Sequence, residues 1–66
     1  MAVNYAYNYA EIDLDTGECT GVFTRSAPID HPALIPIPTD DDNYIGKFYL
    51  NGAWYEDAEG TIPWAL

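Results

Sequence analysis

Asn51-Gly52, set between the aromatic runs Phe48-Tyr49-Leu50 and Ala53-Trp54-Tyr55, constrains this chain more than any other pair of residues. A two-residue type I′ turn needs positive φ at both central positions, and Asn followed by Gly tolerates that best. If these two residues form the loop, the register follows. Leu50 faces Ala53, Tyr49 faces Trp54, Phe48 faces Tyr55 and Lys47 faces Glu56. Side chains alternate between the two sides of a strand. Tyr49 and Trp54 then share one side with a Lys47–Glu56 ion pair, while Phe48, Leu50, Ala53 and Tyr55 share the other.

A second hairpin precedes it. Residues 3–14 alternate strictly, with Tyr5, Tyr7, Tyr9, Glu11 and Asp13 on one face and Ala6, Asn8, Ala10, Ile12 and Leu14 on the other. Period two over this length predicts a strand. Asp15-Thr16-Gly17-Glu18 reads as its turn, and Cys19–Arg25, rich in β-branched and aromatic residues, as the returning strand. Gly21 inside that strand marks a bulge or a close neighbour.

Between the hairpins, residues 26–43 are Pro-rich. Pro28, Pro32, Pro36 and Pro38 disfavour helix, since proline lacks a donor and holds its predecessor extended. Leu34-Ile35-Pro36-Ile37 is expected to be an extended edge segment with its isoleucines turned inward, followed by an exposed acidic loop through Asp40, Asp41 and Asp42. After the second hairpin (residues 44–57), the apolar tail of residues 58–66 ends in Ile62-Pro63-Trp64-Ala65-Leu66. Such a tail either closes the core or inserts into a neighbouring subunit. The expected fold is a single small all-β domain, an antiparallel sheet or barrel-like arrangement of two hairpins joined by the Pro-rich segment.

Composition narrows the function classes. A chain of 66 residues buries only about 60% of its unfolded surface and gains from a partner. An internal disulfide is excluded because Cys19 is the single cysteine, and one Cys with one His makes a zinc site unexpected. Eleven acidic residues against Arg25 and Lys47 give a formal charge of −9, which argues against direct contact with nucleic-acid phosphates or an anionic membrane. Met1–Tyr5 has neither the basic start nor the apolar run of a signal peptide. Synthesis in a cytosol, or assembly into a particle there, is expected.

Catalytic and metal chemistry find little to work with. Cys19 or Ser26 with His31 is the one nucleophile–base set available, with Cys19 in a strand and His31 in a Pro-rich loop. Asp13–Glu18 lacks the ligand series of a calcium loop. The chain is therefore read as non-enzymatic, with no cofactor and no metal. Aromatics make up 15% of it, and Tyr and Trp are enriched at interfaces. The expected partner contacts are the tyrosine row Tyr5, Tyr7 and Tyr9, the extended residues Leu34, Ile35 and Ile37, and the tail residues Ile62, Trp64 and Leu66.

Asn51-Gly52-Ala53-Trp54-Tyr55 is similar to the Asn-Gly-x-Trp-Tyr core of choline- and glucan-binding repeats of bacterial surface proteins, although those repeats occur in tandem and this chain has one copy. A broader likeness covers most of the chain. Tyr9–Asp13, Gly17, the strand Cys19–Arg25, Leu34-Ile35-Pro36-Ile37 and Ile45–Trp54 follow in order. Together they resemble short proteins of tailed bacteriophages, those of cyanobacterial phages among them. The resemblance implies a virion structural or accessory protein of tail, baseplate, neck or capsid surface, bound to other virion proteins in several copies or as a homo-oligomer. An acidic phage inhibitor of a host nucleic-acid-binding defence protein is the second reading, with Glu11, Asp13, Asp15, Asp40, Asp41 and Asp42 imitating phosphates. A carbohydrate-binding module is the third, and it needs Tyr49 or Trp54 exposed.

Overall fold

The computed structural model describes residues 6–65, so Tyr5 and Leu66, both expected contact residues, lie outside the described part. The chain is a small all-β domain. Its elements are β1 (Tyr7–Ile12), β2 (Cys19–Arg25), β3 (Leu34–Ile37), a 3-10 turn (Asp42–Tyr44), β4 (Phe48–Leu50) and β5 (Ala53–Tyr55). They form two antiparallel sheets, three strands in the order β2-β1-β3 and two in the order β4-β5. Neither closes into a barrel.

The second hairpin has the predicted register, with Phe48 opposite Tyr55, Tyr49 opposite Trp54 and Leu50 opposite Ala53. Asn51 and Gly52 both take positive φ, at 51° and 83°. The ladder stops one residue short of Lys47 and Glu56, and the expected ion pair is not formed. The Lys47 carbonyl accepts from the Cys19 amide, and the Glu56 amide donates to the Ile62 carbonyl, outward bonds that join the hairpin to the segments on either side of it. The Lys47 ammonium lies 5.2 Å from the centre of the Trp64 ring instead.

The first hairpin also forms, but β1 ends at Ile12 rather than at residue 14. The Asp13 carboxylate accepts from the Asp15 amide at 2.8 Å, a local bond that turns the chain. Gly17, at φ 82°, closes this turn with its amide on the Asp13 carbonyl. In β2 the pairing slips: Glu11 faces Gly21 while Ile12 faces Cys19, leaving Thr20 as the extra residue of a bulge beside Gly21. The slip reverses the alternation at that point and places Cys19 on the same side as Ile12, where it is buried.

The Pro-rich segment does supply an edge strand. β3 pairs with β1, turns Ile37 into the core and leaves Ile35 half-buried against it. The Ile12 amide donates to the Ala33 carbonyl, which makes that pair a hydrogen-bonded one. The alternation of an antiparallel ladder then points the Pro36 nitrogen outward, where its missing donor costs nothing.

Ala10, Ile12, Cys19, Ile37 and Tyr44 form the buried cluster, with Val22, Ile35, Tyr49, Trp54 and Trp64 packed against it. The Asp41 carboxylate caps the 3-10 turn by accepting from the Asn43 amide, and this turn drops Tyr44 into the cluster. The Tyr44 ring meets Trp54 and Trp64 edge-on at 5.1 and 5.0 Å between centroids. The tail therefore closes the core of its own chain through Trp64, whose amide donates to the Trp54 carbonyl. Main-chain bonds tie β4 to the base of β2, from the Tyr49 amide to the Gly17 carbonyl and from the Gly46 amide to the Cys19 carbonyl.

Of the two hairpin-turn glycines, Gly17 lies against Leu50 and Gly52 does not. A Cβ at Gly17 would stand 2.8 Å from Leu50 Cδ2 and 2.8 Å from the Tyr49 carbonyl oxygen, whereas a Cβ at Gly52 would meet nothing within 4 Å. Both glycines have positive φ. Gly52→Ala should cost about 1 kcal/mol, the left-handed strain alone. Gly17→Ala should cost about 3 kcal/mol, since strain and a clash with backbone add. Urea unfolding of the two variants beside the parent chain measures the difference.

Candidate functional site

The three-stranded sheet has two unlike faces. One side of β1 carries Asn8, Ala10 and Ile12; with Val22, Ile35 and Ile37 it faces the core. The other side carries Tyr7, Tyr9 and Glu11, opposite Arg25, Phe23 and Gly21 on β2, with Pro36 and Leu34 beside Tyr9 and Glu11 on β3. The 26–33 loop returns over this outer face. The Ile29 amide donates to the Tyr9 phenol oxygen at 2.8 Å, and Tyr9 is 4% exposed beneath it. Adjacent residues Tyr9 and Ala10 are thus both buried, one on each side of the sheet.

Beside this strap lies an open cleft of about 420 Å³, lined by Glu11, Phe23, Arg25, Ile29, His31 and Leu34, with Ala33 at its edge. Its floor is aromatic. Phe23 packs on Tyr9 at 5.9 Å between centroids, and the Arg25 guanidinium lies 4.3 Å above the Phe23 ring, a cation–π contact. Arg25 also donates to the Thr24 carbonyl at 3.0 Å. At the other end, Glu11 stands beside Gly21, where an added Cβ would meet only Glu11 Oε1, at 3.9 Å. His31 Nδ1 accepts from the Ala33 amide at 3.0 Å, so the neutral imidazole carries its proton on Nε2. The cleft offers one carboxylate, one stacked cation, an imidazole donor and an apolar floor. It suits recognition of a ligand with both apolar and charged parts.

The expected contact residues are dispersed. Tyr7 is half-buried and, with Pro36, Ile37 and Pro38, lines a smaller recess of about 290 Å³. Tyr9 and Ile37 are buried within the chain and have almost no surface left for a partner. Leu34 is half-buried in the cleft wall, while Ile35 and Trp64 pack on the core. Ile62 is 51% exposed. Sequence reasoning passed over Phe23 and Ile29, weighed Glu11 only as a phosphate mimic and His31 only as a catalytic base, and took Arg25 only as a charge. Alternation from Gly21 places Phe23 and Arg25 on one side, but nothing local says that the 26–33 loop folds over that side.

The aromatics and acids needed by the other readings are largely committed. Tyr49 and Trp54 pack together at 5.1 Å and lie against the core. Asp13 and Asp41 cap turns, and Asp40 accepts from the Thr24 hydroxyl at 3.1 Å. Among the described residues no cluster of three or more metal-ligating side chains forms. The Cys19 thiol is buried and donates to the Gly21 carbonyl, and burial is the main cause raising its pKa. No family model matches this chain, and comparison with curated proteins and solved structures finds no match either.

Asp57 shows what the surface acids contribute. Its carboxylate accepts from the Thr61 hydroxyl and from the Thr61 and Ile62 amides, holding the turn that leads into Trp64. Those bonds, the Thr61 hydroxyl first, lower its pKa below 3.8. A lowered folded pKa means that the stabilisation is present above the ordinary carboxylate range and lost as pH falls through the folded value. Asp57→Asn should therefore melt below the parent chain at neutral pH by a constant margin. That margin should shrink only in acid, below the ordinary value of 3.8. Thermal melts of both chains from pH 7 to pH 2 test this.

Proposed function

We propose that this chain is a non-enzymatic structural or accessory protein of a tailed-phage virion, made in the host cytoplasm and bound in several copies to other virion proteins. The observation that carries the reading is the unlike pair of sheet faces. One face is spent on the core, while the other leaves Phe23, Leu34 and Arg25 around an open cleft. Partner contact on that face would add the burial that a 66-residue chain lacks. The sequence likeness supplies the particle, because its matched segments run in order along the chain from Tyr9 to Trp54. Contact through the edge of β3 would go by side chains rather than by strand addition. The outward position at Pro36 has no donor, and the Leu34 amide is already bonded to the His31 carbonyl.

The inhibitor reading has less support, because half of its six carboxylates hold local structure: Asp13 and Asp41 as turn caps, and Asp40 on Thr24. The carbohydrate reading has less still, with Tyr49 and Trp54 packed on the core. Mass spectrometry with copy counting on purified virions of the phage that carries the gene tests the proposal. Tens of copies per particle are expected, and absence from clean virions overturns it.

A further inference from the structure

We propose that the cleft on the outer face of the three-stranded sheet takes a short segment of a partner protein in which a bulky apolar side chain adjoins a lysine or arginine. This rests on reading the chain as a protein-binding subunit and not on which particle contains it. Three observations identify the occupant. The first is the floor: Phe23, backed by Tyr9 and walled by Ile29 and Leu34, is an apolar seat sized for one or two side chains.

The second is charge. Arg25 is already engaged, stacked on Phe23 and bonded to the Thr24 carbonyl. Glu11 has no cation at ion-pair distance among the described residues, and the vacant position beside it at Gly21 leaves room for one. A formal charge of −9 over the whole chain draws a basic segment in and repels an acidic one. The same charge disfavours a second copy of this chain as the occupant. Its cations are Arg25, which lies in the cleft itself, and Lys47, which lies over Trp64.

The third is the main-chain partner. His31 lines the cleft with Nδ1 held by the Ala33 amide, so in the neutral ring Nε2–H is the donor, without a partner among the described residues and suited to a peptide carbonyl. Gly21 gives the site a clean control. It sits in a strand without positive φ, and a Cβ there meets only the Glu11 carboxylate, so Gly21→Val sets a side chain beside Glu11 where the cation would stand while favouring the strand.

The experiment is a titration of the full ¹⁵N-labelled chain, followed by amide chemical shifts. The probes are acetylated, amidated tetrapeptides of sequence Gly-Phe-Lys-Gly, Gly-Phe-Glu-Gly and Gly-Ala-Lys-Gly. Gly-Phe-Lys-Gly should give saturable shifts at Glu11, Phe23, Ile29, His31 and Leu34, and the other two should bind about fivefold weaker or not at all. Glu11→Gln should weaken Gly-Phe-Lys-Gly by about fivefold, and Gly21→Val should abolish its binding with the rest of the spectrum unchanged. No saturable shift, shifts centred on another surface, or equal response to the glutamate peptide overturns the proposal. If Gly21→Val loses its dispersed spectrum, Glu11→Gln decides, and unchanged affinity in that variant overturns it. Virion composition does not enter this outcome. A chain found in virions that ignores the peptide refutes the cleft alone, and a chain absent from virions that binds it refutes the particle alone.

Discussion

The Tyr44 ring between Trp54 and Trp64 holds this molecule together. Neither sheet has enough strands to stand alone in water: a two-stranded hairpin is marginal, and a three-stranded sheet needs a covered face. The aromatic contacts at about 5 Å bring the β4-β5 hairpin and the tail under the core face of the larger sheet. Edge-to-face rings gain roughly 0.5–1.5 kcal/mol each beyond the area they bury. Burial and the neighbouring Asp41 carboxylate both raise the Tyr44 pKa, so its phenol stays neutral well into the alkaline range.

Main-chain bonds complete what the rings begin. Gly17, Cys19, Gly46, Lys47 and Tyr49 exchange amides and carbonyls where the sheets meet. This junction explains why the turn glycine matters more than the hairpin glycine. Gly17 must take positive φ and also let the β4 backbone and Leu50 come within contact distance, while Gly52 needs the positive φ alone. The bulge at Thr20 belongs to the same junction. By turning Cys19 inward it lets the start of β2 serve the core with its side chain and the second sheet with its backbone.

The acidity divides into two kinds. Asp13, Asp41 and Asp57 are tied to nearby amides and set turns, which is chemistry that short carboxylates do in any exposed loop. Among the described residues Glu11 has no such bond, and it stands at the edge of the apolar outer face, next to a position with no side chain. A charge left free beside aromatic surface is the arrangement that gives a docking site its selectivity, because the apolar part supplies affinity and the charge rejects wrong partners.

The sequence by itself determined the local structure. The Asn51-Gly52 turn and its register, the alternating β1, the Gly17 turn, a bulge or close neighbour at Gly21 and an extended Leu34–Ile37 all follow from backbone sterics and period, which act over a few residues. Only the tertiary structure decided how surfaces are used. The tyrosine row reads as one face of a strand and a candidate contact stripe, yet Tyr9 is buried beneath a loop whose Ile29 amide, twenty residues away, bonds to its phenol oxygen. The Lys47–Glu56 pair is implied by hairpin register, yet Lys47 lies over Trp64, a ring that the tail brings to the hairpin through the bond from the Trp64 amide to the Trp54 carbonyl. The cleft needs Glu11, Phe23, His31 and Leu34 from three strands and a loop. Local rules fix which way each side chain points from its own strand. Only long-range pairing decides what lies across from it.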